Sequence, residues 1–250
     1  MLPLGLFKSR TFSGANPLTL FLYAALGGAL FFLPLNLIQL QGYSATAAGA
    51  AMLPFVLTLF LLSRWSGGLI ARFGPRLPLV AGSAIAAAGY ALFMVAGVGG
   101  SYWEMFFPAV LVLGVGMAIC VAPLTTTVMN AVARDHAGAA SGINNPVART
   151  AGMLAIAVFG LLMSHTFNAT LERRLSTIPL TAEVYRAINV QRVKLAGIAI
   201  PAIADAATKS LVQRAVQDSF VTAFRQVMLV TAVLALLSAL SAWLLIGRRS

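Results

Sequence analysis

Few side chains in this 250-residue sequence can carry out acid–base, nucleophilic or metal chemistry. It contains two histidines, one cysteine and six acidic residues against 17 lysines and arginines. No H-E-x-x-H, G-x-S-x-G or phosphate-binding glycine-rich motif is present. These counts favour neither a catalytic centre nor a metal site. The sequence therefore predicts a protein that is not an enzyme and that uses no cofactor.

Two arginines are unusual because they lie inside or beside long apolar runs. Arg64 precedes Arg72 by two helical turns, which places it about 12 Å deeper at about 1.5 Å per residue. A charge at such depth costs at least about 3 kcal/mol unless it faces water or a partner. Arg64 is thus a candidate gating or pathway residue, and a cytoplasmic anchor in a tilted helix is the alternative. Arg149 is a second candidate, with snorkelling to cytoplasmic headgroups as its alternative.

Three amide side chains complete the candidate set. Asn36 and Gln39 fall at the outer end of the first apolar run, where they either line a path for polar groups or simply mark the end of a helix. Asn130 ends the fourth apolar run. Together with Asn144 and Asn145, it is predicted to form hydrogen bonds between the fourth and fifth helices, each worth about 0.6 kcal/mol.

The composition indicates which elements must carry these residues. Hydrophobic residues make up 60% of the chain and charged residues 9%, with a mean hydropathy of +0.90. Soluble domains contain about 25% charged residues, so lipid must solvate most of these side chains. The formal charge of +11 lies between the apolar runs, which favours loops against anionic headgroups over nucleic-acid binding. The single cysteine, Cys120, excludes an intrachain disulfide.

Six stretches are long enough to cross a hydrocarbon core of about 30 Å as helices. The sequence predicts an all-α membrane protein, a bundle of six transmembrane helices over residues 18–40, 45–73, 77–98, 102–129, 146–167 and 223–246. We expect a cytoplasmic segment at 1–16, five of the helices within 17–167, an extracytoplasmic loop with an amphipathic helix at 168–222, and the last helix with a cytoplasmic tail at 223–250.

Local signals predict where two of these helices begin. Ser101 and Glu104 have the spacing of a capping box at the start of the fourth helix. Asn145 followed by Pro146 has the form of an N-cap and first turn for the fifth helix. That helix has an uninterrupted apolar stretch of only 151–163, so it spans the membrane only if residues 146–150 are helical as well.

Basic residues in the short loops predict the orientation. One side holds Lys8, Arg10, Arg72, Arg76, Arg134, Arg248 and Arg249, whereas the short loops 41–44 and 99–101 on the other side hold none. The positive-inside rule then places both termini in the cytoplasm. We expect a multi-pass protein of a bacterial cytoplasmic membrane.

The run G-G-L-I-A-R-F-G-P-R at 67–76 resembles the cytoplasmic loop signature of the major facilitator superfamily, G-x-L-a-D-R-x-G-R-R. The matching residues are Gly67, Gly68, Arg72, Gly74 and Arg76. Gly67 is expected to let helices pack closely, Arg72 to sit at a negative helix C-terminus, and Gly74 to make the turn. Because the acidic position of the signature falls on Ala71 and a basic position falls on Pro75, no charge-relay gate is expected at this loop.

Three further stretches extend the resemblance over nearly the whole chain. They are Q-x-Q-G-Y-S at 39–44 with A-G at 48–49, G-x-G at 114–116 with Pro123, and G-x-A-S-G at 138–142 with Arg149 and Gly152. With the long loop before the last helix, they resemble the last six helices of the fourteen-helix drug:proton antiporter subgroup. The resemblance implies two inverted three-helix repeats and export of small amphiphilic molecules in exchange for protons, by alternating access between two six-helix bundles. The implied partners are the small-molecule substrate, the lipid bilayer and an N-terminal bundle, supplied by the same gene, by a separate chain or by a second copy.

The acidic residues bear on how transport would be coupled to protons. No Asp or Glu lies in the middle of an apolar run, although proton coupling normally needs an intramembrane carboxylate or histidine with a shifted pKa. We therefore expect the coupling acid in the missing bundle. A non-transporting scaffold or assembly subunit is the alternative function, and a channel is disfavoured because no ring-forming charged pore residues are present.

Overall fold

The computed structural model describes residues 4–247, and all regular elements in that range are helical. Short 3-10 turns lie at Leu4–Lys8, Phe93–Val95, Arg134–His136 and Arg192–Gly197. The α-helices are α1 Arg10–Gln39, α2 Ala45–Ala50, α3 Leu53–Ser66, α4 Leu69–Phe73, α5 Arg76–Leu92, α6 Tyr102–Met105, α7 Phe107–Asn130, α8 Ala137–Leu175, α9 Ala182–Val190 and α10 Ala206–Leu245. Arg248 and Arg249, two of the basic residues that predict the orientation, lie outside the described residues.

Six helices in this range are long and apolar enough to cross a membrane, which confirms the predicted six-helix bundle. The spans are α1, α2 with α3, α5 with its 3-10 extension, α7, α8 and α10. The first begins at Arg10, eight residues earlier than predicted, because the Ser9 side chain accepts a hydrogen bond from the backbone N–H of Phe12 and caps it there.

The second span is not one continuous helix as predicted. It is interrupted at 51–52, just before α3, and again at Gly67 and Gly68. Pro54, in the first turn of α3, has no backbone N–H and therefore cannot donate the hydrogen bond that would continue α2 into α3. Gly74 ends α4 with a φ of 71°, so the predicted glycine turn is present.

The predicted starts of the fourth and fifth helices are wrong in detail. Ser101 does precede α6, but its side chain makes no capping hydrogen bond, so the predicted capping box does not form. The fifth helix begins at Ala137 rather than at 146. Pro146 lies in its interior, and the Asn145 side chain donates to the Ser141 hydroxyl one turn earlier instead of capping the helix.

Helices α8 and α10 extend well beyond a bilayer. They contain 39 and 40 residues, or about 60 Å each at about 1.5 Å per residue, twice the thickness of the hydrocarbon core. The amphipathic helix predicted to lead into the last span is the first part of α10. It begins at Asp205, whose carboxylate accepts a hydrogen bond from the backbone N–H of Thr208, and this bond holds the pKa of Asp205 below its usual range.

The extended ends of α8 and α10 form a small folded cap with α9 and the segment between them, residues 168–222. Its apolar centre consists of Leu171, Leu175, Val184, Ile188, Val212 and Val216, all buried. Arg174 pairs with Asp218 at 2.9 Å, which ties α8 to α10. Glu172 accepts hydrogen bonds from Arg192 and from the Tyr185 hydroxyl.

The helices pack in the order α3–α7–α5–α10–α1–α8, each with its strongest contacts to its neighbours in that series. Small residues bring the backbones together in two of these pairs. A Cβ added at Gly116 of α7 would lie 2.8 Å from the Gly82 carbonyl of α5, and one added at Gly27 of α1 would lie 2.7 Å from the Cα of Gly152 in α8. The series leaves α3 and α8 at its two ends, and these are the least buried spans.

The turns that carry Arg10, Arg76 and Arg134 share one end of this bundle. Arg10 and Arg76 both contact the last turn of α10, and residues 131–136 line a common pocket with residues 5–9. We call this the basic end, and the end that carries the cap the opposite end.

Candidate functional site

The exposed surface of α10 between 229 and 244 is what a lipid-facing helix requires. Every exposed position in that range is apolar: Leu229, Val233, Leu236, Leu237, Leu240, Trp243 and Leu244. Nothing polar on this face needs water or a protein partner. It provides the comparison for the exposed faces of α3 and α8.

Helix α8 exposes a stripe that is polar toward the basic end and apolar toward the opposite end. The polar part contains Asn145, Arg149 and Thr150, and the apolar part contains Met153, Leu154, Val158 and Leu161. Along the whole stripe the exposed positions recur every three to four residues, as expected for one face of a helix. Unlike α10 between residues 229 and 244, α8 therefore exposes a charge beside its apolar stripe.

The contacts between α8 and α1 fix the depth of Arg149. The Asn144 amide donates to the Thr19 hydroxyl at 2.8 Å, and Gly152 lies against Gly27. Because the two helices run in the same direction, Arg149 lies level with about Ala24. That residue is about 21 Å from the start of α1 at about 1.5 Å per residue.

Arg149 lies farther from the start of its helix than predicted. The predicted snorkelling assumed that the helix begins at 146, three residues before Arg149, but α8 begins at Ala137, twelve residues before it. At about 1.5 Å per residue this is about 18 Å, so the Arg149 side chain does not reach the end of its own helix. Within residues 4–247, Arg149 has no ion pair or hydrogen bond.

Arg64 lies on the other poorly buried helix. A Cβ added at Gly114 of α7 would lie 2.9 Å from the Thr58 Cβ of α3, and both helices run toward the basic end. This register places Arg64 level with about Cys120, about 15 Å from the end of α7. Like Arg149, Arg64 is exposed and forms no ion pair with another described residue.

An apolar groove lies beside Arg64, between α3 and α7. It has a volume of about 310 Å³ and is lined by Val56, Leu59, Phe60, Ser63, Ala118, Val121 and Ala122. Phe60 is one turn before Arg64 on the same helical face. Arg64 does not line the groove but follows Phe60 by one turn, so an apolar wall and a cation are close neighbours on α3, an arrangement suited to a molecule with one apolar and one polar part.

The predicted amide residues lie at positions other than those of Arg64 and Arg149. Asn36 is buried and accepts a hydrogen bond from the Gln41 side chain, whose amide also donates to the Gly97 carbonyl at 2.8 Å. Gln39 lines a separate pocket of about 350 Å³ beneath the cap, and its Oε1 is buried without a partner among the described residues. Asn130 is exposed at the end of α7.

The predicted amide cluster between the fourth and fifth helices is wrong. Asn144 donates instead to Thr19 and, at 3.3 Å, to Asn16, both of which belong to α1. Asn145 bonds within α8, and Asn130 reaches neither of them. The structure thus places Arg64 and the groove on the exposed face of α3 and Arg149 on that of α8, and leaves the amides elsewhere.

Comparison with known proteins identifies the family. The family model for the Major Facilitator Superfamily matches residues 3–157, more than half of the chain. The chain belongs to the major facilitator superfamily. It is 28% identical over 180 residues to the multidrug resistance protein Stp of Mycobacterium tuberculosis, covering 70% of this chain and 32% of that protein. It is 29% identical to the tetracenomycin C resistance and export protein of Streptomyces glaucescens, covering 66% of this chain and 30% of that protein.

A solved superfamily transporter has the same fold. The structure of a bacterial homolog of the human lysosomal transporter Spinster, in an inward-facing and unoccupied conformation, matches with a TM-score of 0.71 at 16% identity. The match covers 98% of this chain and 51% of that one. The chain therefore spans about half the length of this transporter and about a third of the two curated relatives, and its six spans form one bundle of a major facilitator fold.

The loop that resembles the superfamily signature has the predicted turn but not all the predicted contacts. A Cβ added at Gly67 would approach only carbonyls of its own helix, at 3.8 Å, so no other helix among residues 4–247 packs closely there. Gly68 completes the break between α3 and α4. Arg72 lies exposed over the Phe73 ring at 5.3 Å, whereas Arg76 packs over the Trp243 ring at 4.0 Å.

One buried polar network is not visible in the sequence. The Ser83 hydroxyl lies 3.1 Å from that of Ser238 and 3.5 Å from the Cys120 sulfur, and Ser238 donates to the Leu18 carbonyl. It links α1, α5, α7 and α10 in the buried interior of this superfamily bundle. Serines in apolar runs have no distinguishing pattern, so only the packing of four helices shows that these residues meet.

Proposed function

We propose that this chain is the C-terminal bundle of a multidrug-type efflux transporter, which exports small amphiphilic molecules in exchange for protons by alternating access. The observation that supports this most strongly is the pair of exposed guanidinium groups at membrane depth on α3 and α8. A lipid-facing arginine at that depth would cost several kcal/mol, at least about 3. Water or a second bundle must therefore face these two helices.

The second bundle is the proposed partner of this surface. Helices α3 and α8 are the second membrane spans of the two three-helix units, so the same position in each unit is left uncovered. The matched part of the Spinster homolog is about half of its chain, which leaves room for such a partner. It is an N-terminal half from the same gene, a separate chain or a second copy.

The proposed substrates follow from the chemistry of the uncovered surface. The α3–α7 groove offers an apolar wall beside Arg64, and the α8 stripe changes from polar to apolar beyond Thr150. An amphiphilic molecule would place its apolar part on these walls and its polar part near the arginines. The names of the two relatives, multidrug resistance and tetracenomycin C export, agree with this substrate class.

The experiment that tests this function is drug susceptibility of cells that express the complete coding region. In a bacterial strain lacking its own efflux pumps, expression is expected to raise the inhibitory concentrations of several structurally unrelated amphiphilic drugs. A protein that serves only as a scaffold would leave these concentrations unchanged, and that result would contradict the proposal.

We expect the isolated chain to show no proton-coupled transport. Its six acidic residues all lie at helix ends or in the cap: Glu104, Asp135, Glu172, Glu183, Asp205 and Asp218. The coupling carboxylate must then belong to the second bundle. In liposomes with an imposed pH gradient, the complete transporter should move ethidium and the 250-residue chain should not. Robust gradient-driven efflux by the chain alone would show that a coupling group lies within it.

We propose that the basic end faces the cytoplasm of a bacterial cell, with both termini inside. In a Cys120→Ala background, Phe73→Cys and Ala133→Cys should react with a membrane-impermeant maleimide only after the cells are permeabilised. Ser101→Cys, exposed at the opposite end, should react in intact cells. All three positions are exposed in the structure, so accessibility depends on the side of the membrane. Labelling of positions 73 and 133 from opposite faces would refute this topology.

A further inference from the structure

A cavity lined by two arginines lies at the basic end, outside the proposed transport path. It has a volume of about 360 Å³ and is formed by the first turns of α1 and α5 and the last turn of α10. Its lining includes Arg10, Thr11, Arg76, Trp243 and Leu244. No residue of α3 or α8 contributes to it.

The two guanidinium groups present unused donors to this cavity. The Arg76 guanidinium lies over the Trp243 ring, 4.0 Å from its centroid, and donates no hydrogen bond to any of residues 4–247. Its Nε is covered by protein, so a ligand in the cavity can reach only the Nη groups. Arg10 donates from Nη2 to the Leu244 carbonyl at 3.4 Å, a long hydrogen bond that leaves its other N–H groups available. Among the described residues, 4–247, no acidic side chain lines the cavity.

These features together favour a phosphate-bearing ligand. Two positive charges line one cavity without a counter-ion among residues 4–247, and this favours the binding of an anion. The planar N–H fork of arginine matches the oxygens of a phosphate group. An anion held by both arginines would satisfy the donors and neutralise the charge.

The surroundings indicate that this anion belongs to a lipid. The cavity opens at the end of the apolar α10 face, where Leu240, Trp243 and Leu244 are exposed, and Leu77 of α5 is exposed beside it. Acyl chains have an apolar surface to lie against, and tryptophan is typical of headgroup depth. Basic pockets between membrane helices are sites where anionic headgroups bind.

We propose that this cavity binds the phosphate headgroup of an anionic phospholipid, such as phosphatidylglycerol, from the leaflet at the basic end. The inference depends on the membrane-embedded bundle and not on the transport activity. It therefore stands or falls separately from the proposed efflux function.

Native mass spectrometry of the purified full chain, released from vesicles of equal phosphatidylglycerol and phosphatidylcholine content, tests this site. The wild type should retain phosphatidylglycerol with at least about a tenfold preference, and the double variant Arg10→Gln with Arg76→Gln should lose that preference. The matched control, Arg72→Gln with Arg134→Gln, removes the same charge from exposed positions outside the cavity and should keep it. An equal loss in both double variants would show general charge attraction and overturn the proposal.

Two further measurements distinguish a lipid headgroup site from a site for any anion. Arg76→Lys keeps the positive charge but removes the planar pair of N–H donors. A folded Arg76→Lys protein should therefore bind phosphatidylglycerol more weakly than the wild type. Wild-type affinity in this variant would contradict the proposed geometry. Inorganic phosphate at millimolar concentration should not displace the lipid, and displacement would show that the cavity binds soluble anions instead.

Discussion

Replacing Arg149 with alanine is expected to lower drug efflux by the complete transporter at least about tenfold, which corresponds to about 1.4 kcal/mol of lost stabilisation along the transport cycle. The guanidinium lies level with the middle of α1, on a face that α1 and α10 leave uncovered. A charge retained there must interact with water, the substrate or the second bundle. Removing it eliminates that interaction without opening the packed interior.

Efflux of ethidium from preloaded cells measures this effect, normalised to the amount of protein in the membrane. Arg149→Lys, which keeps the charge, should retain part of the activity. Arg225→Ala is the matched control, because Arg225 is also exposed on a long helix but donates to the Ala96 carbonyl at 3.3 Å, toward the opposite end. Near-normal efflux by Arg149→Ala at normal membrane abundance would contradict a role in the path.

Gly116→Leu is expected to prevent the bundle from folding. Even a Cβ at this position would lie 2.8 Å from the Gly82 carbonyl and 2.9 Å from the Cα of Ala86, both backbone atoms of α5 that cannot move independently. Overpacking of this kind typically costs about 1–3 kcal/mol for added methylene groups, and separating two backbones costs more. Close packing of small residues is a main attraction between helices in a membrane, where apolar burial adds little.

Gly160 of α8 provides the control for this substitution, because a Cβ added there meets no atom within 4 Å. Gly160→Leu should therefore give a folded protein with a near-normal thermal melting temperature in detergent. Gly116→Leu should give little monodisperse protein on size-exclusion chromatography. Normal yield and melting of Gly116→Leu would show that α5 and α7 do not approach as closely as the structure has them.

The six spans could be predicted from the sequence because hydropathy over about 20 residues reports directly on the lipid environment. The ends of α8 and α10 could not be predicted from hydropathy. Their extensions are polar on one side and are stabilised by the cap, through contacts such as Arg174 with Asp218, which join positions far apart in sequence. Pro146 also misled the prediction, since a proline is usual at the start of a helix but here lies in its interior.

The candidate site was only partly predictable for a related reason. Arg64 and Arg149 stand out in the sequence because charges in apolar runs are rare. Their depth, however, depends on which helix each span pairs with, and spacing along one chain does not contain that information. The same limit explains Asn144, whose amide character was visible but whose partner helix, α1, was not.

Thiol accessibility at position 149 is the most direct test of the central claim that α8 faces a water-filled path between two bundles. In the complete transporter with Cys120→Ala, Arg149→Cys should react readily with a charged, membrane-impermeant methanethiosulfonate reagent. Leu236→Cys, on the apolar face of α10, should stay unreactive. If position 149 is as inert as position 236, then α8 faces lipid there and the proposed path does not exist.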